Sequence, residues 1–358
     1  MIIMKIPYKL LFFLFFIPII TNAHEKEKGK FTKQKTINKN YIVNADADIS
    51  VDNSYGNVSI TTWNENKIEV DILIKVSGDN EDWVNKRLDG ITVSLEPLKS
   101  KVTAVTKIDK NSGGRKGNTN SIEINYTIKI PKNGGVFINN KYGDISTTDL
   151  FAAADIKCKY GKITLGKLSS NNNRIDISYC NKSSIESVNT ATISANYSGM
   201  TIGTFETLTL KSDYTDIILN SGGSLKYDSS YGKIAIGKIN NLDGSGDYIS
   251  IAVQELLGNL NLTSKYSKIN IVQVNPKAGN INIISSYSPI NINYNALYDF
   301  DFDIKIKYGN LKYDQDIELN SKQESGSSKS YSGYHKKKGS HKIAITSDYG
   351  NIILNKNQ

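Results

Sequence analysis

The sequence predicts an all-β fold: a single-stranded, right-handed β-solenoid (β-helix) of about 17–21-residue coils, with an antiparallel β excursion capping it near the N-terminus. Three observations predict it. A tyrosine recurs at near-constant spacing, its neighbours repeat a strand pattern with one phase slip, and a glycine or serine follows it in most copies.

The recurring residues are Tyr55, Tyr142, Tyr160, Tyr179, Tyr197, Tyr214, Tyr231, Tyr248, Tyr266, Tyr287, Tyr308 and Tyr349. From Tyr142 to Tyr308 the spacings are 18, 19, 18, 17, 17, 17, 18, 21 and 21, and the last gap, 41, is close to two repeats. Internal periods of this length signal stacked units. Around Tyr266 the apolar residues are Leu260 and Leu262, then Ile269, Ile271 and Val274. The isolated first copy reads Ile49, Val51, Tyr55, Val58, Ile60.

Counted from the tyrosine, these offsets are −6, −4 and 0, then +3 and +5. Alternation up to 0 puts those side chains on one face of a strand. The phase then slips by one residue, so a corner at +1 and +2 must turn the second strand back to the same side. Offset +1 is Gly at Gly56, Gly143, Gly161, Gly232, Gly309 and Gly350, and Ser at Ser198, Ser267 and Ser288. Such residues suit a bend with unusual dihedrals. Each coil reads strand, corner, strand, return, and cannot bury its apolar face alone. About eleven contiguous coils spaced about 4.8 Å apart make a rod on the order of 50 Å long. The tyrosines are expected as a core or corner column along it, not as a ligand platform.

The remaining elements follow in chain order. Lys5 and Lys9 precede an apolar run from Leu10 to Ile20, and Thr21-Asn22-Ala23 supplies small residues for cleavage. Residues 1–23 read as a signal peptide processed after Ala23. The first cysteine is Cys158, so no lipidated cysteine follows the cleavage site. Processing removes two lysines and no acid, lowering the net charge from +9 to +7. Residues 24–40, Lys-rich, read as a flexible basic leader, and 41–355 as the solenoid domain. Within it, 63–130 breaks the repeat. It holds a long strand at Lys67 to Val76, a short helix started by Asn80-Glu81-Asp82 and stopped by Asp89-Gly90, and three further strands. Capping a sheet edge in this way blocks aggregation. The Ser-, Gly- and Lys-rich segment 323–340 reads as a mobile loop inserted between the last coils.

The chemistry is sparse. The three histidines are His24, His335 and His341, and no Ser-His-Asp set or His/Cys metal spacing accompanies them. His335 and His341 make at most a weak metal pair in a solvated loop. No catalytic, cofactor-binding or metal residue is assigned, and no cofactor is expected. Cys158 at the inward offset −2 and Cys180 at the corner offset +1 lie in neighbouring coils but at different places along them, so no structural disulfide is expected. A polysaccharide-cleaving β-helix would need clustered carboxylates on one face. The offset −1 column runs Lys141, Lys159, Ser178, Asn196, Asp213, Ser230, Asp247, Lys265, Ser286, Lys307, Asp348, and offset +2 includes Asp144, Lys162, Asn181, Asp216, Lys233 and Lys268. Neither holds adjacent acids, and mixed signs suit a solvated face.

The copies Ser54-Tyr55-Gly56-Asn57-Val58-Ser59-Ile60, Lys141-Tyr142-Gly143-Asp144-Ile145 and Lys159-Tyr160-Gly161-Lys162-Ile163-Thr164-Leu165 carry a resemblance. So do the charged strand after Trp63 and the step Ile128-Lys129-Ile130-Pro131-Lys132. Together they resemble the bacterial putative-adhesin family of exported β-solenoid domains, across most of residues 40–355. Two departures stand out: Cys180 replaces the usual Gly, and the Tyr179 copy lacks Ile at +3. The resemblance implies a non-enzymatic protein of the periplasm, outer-membrane surface or extracellular space. The expected partner is a surface glycan or envelope protein bound through a polar solenoid face, with no nucleic acid and no integral membrane span after signal removal. The alternative is a carbohydrate-active β-helix enzyme, a polysaccharide lyase or hydrolase.

Overall fold

A computed structural model of the chain describes residues 29–110 and 119–357. The signal segment 1–23 and its processing site lie outside the described residues. Among those described, twenty-four strands join one continuous sheet, and a single helix accompanies them. No helix among them is long and apolar enough to cross a membrane.

The repeats stack in parallel, first strand on first strand and second on second. Val136–Lys141 pairs with Ala154–Lys159, which pairs with Asn173–Ser178. The strand after each corner does the same, as when 163–165 lies on 145–147 and 164–168 on 184–188. Between Gly199 and Leu256 the extended backbone is continuous through three corners. Inward residues at offsets −6, −4, +3 and +5 close a narrow aliphatic core; Ile49, Val58, Ile156, Ile163, Ile234, Leu260 and Ile352 are all fully buried. This is the alternation expected of the sequence, and burial of such side chains contributes about 1.5–3 kcal/mol each.

The corner works differently from the sequence expectation. The residue in the left-handed region is the tyrosine itself, with φ between 46° and 65° at all twelve positions. None of the glycines at +1 has a positive φ. One left-handed residue between two extended ones turns the chain and throws its own side chain outward. Where glycine stands at +1, the backbone of the neighbouring repeat passes close to it. A Cβ on Gly143 would lie 1.9 Å from the Gly56 carbonyl oxygen, and one on Gly161 2.1 Å from that of Gly143. Where serine stands at +1, its hydroxyl enters the backbone network instead. Ser267 Oγ donates to the Lys265 carbonyl and accepts from the Ile249 N–H.

Both ends depart from simple stacking. At the N-terminal end, 101–105 and 126–131 lie parallel on 48–52 and 58–63, so the excursion supplies an extra layer to the Tyr55 repeat. Antiparallel strands then extend it: Ile91–Pro97 on one side, Lys67–Gly78 and finally Phe31–Ile42 on the other. The helix runs Glu81–Asp89, with the Asn80 side chain accepting from the Trp83 N–H at its start.

Two sequence expectations are corrected here. Most of the supposed flexible leader, from Phe31 onward, is the edge strand Phe31–Ile42. Its inward face alternates Phe31, Lys33, Lys35, Ile37, and its lysines disguise the strand period because they snorkel. Lys35 Nζ donates to the Leu88 and Ile91 carbonyls at 2.8 and 2.6 Å. Likewise the supposed mobile loop 323–340 contains most of a β-hairpin, Ile317–Ser325 with Ser328–His335, turning at Gly326 with φ +55°. Its second strand pairs antiparallel with Phe300–Lys307. Gly333 reads as linker by composition, yet a Cβ there would meet the Phe302 ring at 2.7 Å.

The C-terminal end also changes the order of the repeats. The last repeat, 342–357, lies between the Tyr287 repeat and the Tyr308 repeat. Residues 343–348 pair with 281–286, and 342–348 with 301–307 on the other side. The tyrosine column accordingly runs Tyr287, Tyr349, Tyr308.

Candidate functional site

The most regular exterior feature is the tyrosine column. Successive rings from Tyr55 to Tyr308 stack at centroid distances of 4.5–5.1 Å with interplanar angles of 2–17°. Their spacing is that of the parallel strands beneath them. The eleven rings from Tyr142 onward are 41–51% exposed, so the column is a corner feature on the surface and not part of the core. Each tyrosine N–H also continues the ladder, as when Tyr142 N–H donates to the Lys159 carbonyl at 2.9 Å and Tyr349 N–H to that of Lys307 at 2.7 Å.

Within the column each ring face is covered by the next ring. What remains open to a partner is a row of ring edges and phenol hydroxyls. Loss of solvent around the hydroxyl, then the neighbouring phenols, pushes the pKa of Tyr214 and Tyr349 above the usual tyrosine value, so these two phenols are neutral at ordinary pH. Lys159 sits over the rings of Tyr160 and Tyr179 at 5.1 and 6.0 Å.

Left-handed backbone at a bulky residue is unfavourable, and stacking on both sides offsets it. Tyr231→Ala removes contacts to Tyr214 and Tyr248 at 4.6 and 5.0 Å and is expected to cost about 1–3 kcal/mol, roughly two aromatic pairs. Tyr231→Phe keeps the stack and is expected within about 0.5 kcal/mol of the parent, as for ordinary surface changes. Urea unfolding of both variants checks this. An alanine cost matching that of a buried aromatic, about 3–5 kcal/mol, would contradict the exterior position.

Under the column, the corner brings offsets −2 and +1 together. Asn53 Nδ2 donates to Asn140 Oδ1 at 3.1 Å, and Asn140 Nδ2 to the Gly56 carbonyl at 2.9 Å. Cys158 and Cys180 occupy the same kind of position. Both are free and buried, but they are closer than their offsets imply, with Cys180 Sγ donating to the Cys158 carbonyl at 3.3 Å. A hydrogen bond between the two side chains lowers the Cys180 thiol below the usual cysteine value and, together with burial, raises that of Cys158. His335 and His341 do meet, at Tyr298. His335 is buried with Nδ1 2.7 Å from the Tyr298 carbonyl, and the His341 ring stacks on Tyr298 at 5.6 Å. Both rings are packing elements of an aromatic cluster with Tyr294 and Phe300.

The polar faces beside the column carry their own ladders. At offset +2, Asn57 Oδ1 accepts from the Asp144 N–H and Asp144 Oδ1 from the Lys162 N–H. At offset −7, Asn241 Oδ1 accepts from the Asn259 N–H at 3.2 Å, Asn259 Oδ1 from the Asn280 N–H at 2.9 Å, and Asn280 Oδ1 from the Lys342 N–H at 2.9 Å. This second ladder borders a groove of about 580 Å³, which crosses several repeats over the outer face of the strands that precede Tyr214, Tyr231, Tyr248 and Tyr266. Among the described residues no cluster of three His, Cys, Asp or Glu side chains is positioned to hold a metal ion. Reading in sequence offsets locates these columns, but not which of them is cut into a groove.

No family model matches the chain, and no curated protein matches it. Two solved structures align with most of it. One, titled a "putative cell adhesion protein" from Clostridium sporogenes ATCC 15579, has 13% identity and a TM-score of 0.16 over 90% of this chain and 100% of that one. The other, titled a "putative adhesin" from Bacteroides fragilis NCTC 9343, has 14% identity and a TM-score of 0.28 over 90% of this chain and 97% of that one.

Proposed function

We propose that the chain is an exported, adhesin-like protein of the cell envelope or surface, built as a single-stranded right-handed β-solenoid, and that it binds a glycan or an envelope protein without altering it. The observation that carries this reading is the periodicity of the exterior. Twelve stacked tyrosines and the polar columns beside them repeat along one axis, which suits an extended partner contacted many times over. A catalytic centre needs unlike groups converging on one point, whereas the tyrosine column and the offset −7 column of the middle repeats present similar groups in a row. The signal-like N-terminus, Lys9 followed by the Leu10 to Ile20 run, supports export.

The test joins location to binding. Protease added to intact cells is expected to cleave the chain, and the purified protein is expected to retain members of a glycan array or an envelope-protein library while releasing no reducing sugar. Polysaccharide cleavage abolished by a single carboxylate substitution would replace this reading with the enzymatic one.

A further inference from the structure

Resting on that reading, we propose that the groove lined by Thr207, Thr209, Ser224, Lys226, Asn241 and Asn259 binds a linear, uncharged polysaccharide, its sugar units lying across successive repeats.

The first argument is composition. Along offset −7 the middle repeats present Thr190, Thr207, Ser224, Asn241, Asn259 and Asn280, all hydroxyls or carboxamides. Along offset −5 they present Thr192, Thr209, Lys226, Asp243, Asn261 and Asn282, in which one lysine and one aspartate in neighbouring repeats balance. Toward the ends the same columns turn charged, with Asp48, Asp155 and Arg174 at one end and Asp301 and Asp303 at the other. The neutral stretch coincides with the groove. An anionic polymer would call for a basic surplus, which these columns lack. A neutral sugar chain offers hydroxyls that both donate and accept, and Thr, Ser and Asn match that duality.

The second argument is preorganisation. The carboxamide oxygens of Asn241, Asn259 and Asn280 are committed to the N–H groups of the next repeat. That commitment fixes each side chain and which end of each amide is left over. Asn259 Nδ2 also donates one N–H to Asn241 Oδ1 at 3.3 Å; a carboxamide nitrogen has two N–H groups, so each still offers at least one, in a row at the strand spacing, about 4.8 Å, comparable with the length of one pyranose unit in an extended glycan. Side chains ordered before the ligand arrives lose little entropy on binding. The third argument is the floor and rim. Leu208, Leu225 and Leu242 point inward as buried core side chains, so the floor between the two polar columns is strand backbone. Next to Ser224, Gly222 and Gly223 bring bare backbone to the rim. A Cβ on either would strike the Phe205 ring at 2.0 Å or the Glu206 carbonyl at 2.5 Å.

Isothermal titration calorimetry on the full mature chain tests the assignment with cellohexaose, chitohexaose and hexagalacturonate as probes. One or both neutral hexasaccharides are expected to bind, and hexagalacturonate is not. Asn259→Asp keeps the oxygen that receives the Asn280 N–H and deletes the amide donors. It is expected to weaken binding about fivefold to tenfold, the equivalent of one lost hydrogen bond. Thr209→Arg, an exposed position, fills the groove and is expected to abolish the titration heat while leaving the thermal midpoint unchanged. Absence of neutral-glycan binding, or binding of hexagalacturonate alone, would overturn the groove assignment. So would neutral-glycan binding that survives both substitutions, and that outcome would still leave the broader surface-binding reading standing.

Discussion

Gly143→Ala is expected to destabilise the protein by about 1–3 kcal/mol, the usual cost of overpacking, although it adds one methyl group at a corner. Its Cβ would sit 1.9 Å from the Gly56 carbonyl oxygen and 2.4 Å from the carbonyl carbon, where only backbone is available to yield. Separating the two repeats to make room lengthens the bonds that cross the corner, such as Tyr55 N–H to the Lys141 carbonyl at 2.8 Å. Gly143→Ser is expected to recover roughly 1 kcal/mol relative to alanine, because a hydroxyl at this offset can join the backbone network as Ser267 does. Urea midpoints of the two variants beside the parent decide it; alanine and parent unfolding together would show that the repeats separate without penalty.

The second large effect is expected at the C-terminal cluster. Phe300 is fully buried, lies 5.3 Å from the Tyr298 ring and 5.4 Å from that of His335, and meets Tyr294 edge-on at 5.0 Å. Phe300→Ala is expected to cost about 3–5 kcal/mol, as for other buried aromatics. In a stacked architecture each layer answers mainly to its neighbours, so the loss should be local. Hydrogen exchange is expected to rise in Ile317–Ser325, Ser328–His335 and Lys342–Asp348 while Asn173–Ser178 stays protected. Uniform exchange along the whole chain would show instead that the layers unfold as one unit.

Sequence offsets revealed the strands, the corner and the inward columns, because period-two burial over a narrow core leaves a direct trace in Ile, Leu and Val. They left the tyrosine between core and corner. Offset 0 shares its phase with the inward −2 and −4, and only a left-handed backbone, which no residue type announces at Tyr, turns it outward. The edge strand Phe31–Ile42 was hidden by its lysines, of which Lys35 turns its ammonium group to the Leu88 and Ile91 carbonyls and Lys33 to the Glu81 carboxylate. The hairpin at 317–335 was hidden by glycine and serine, of which Gly333 makes room for the Phe302 ring. As for the groove, its residues are individually ordinary polar surface residues. Their meaning comes from vertical alignment, which depends on register between repeats and so on the fold itself.

The placement of the last repeat between two earlier ones has a consequence for how the molecule is completed. A chain emerging N-terminus first can lay down each layer in turn as far as Tyr287, but the layer of Tyr308, backed on one side by its own hairpin, cannot join the column until residues 342–357 slide in on the other. Closure is thus a long-range event, slower than the local additions before it. A truncated product would leave the Tyr287 layer as a bare sheet edge, open to misassociation and proteolysis. Residues 342–357 thus act as a keystone that joins the Tyr308 layer to the rest of the column.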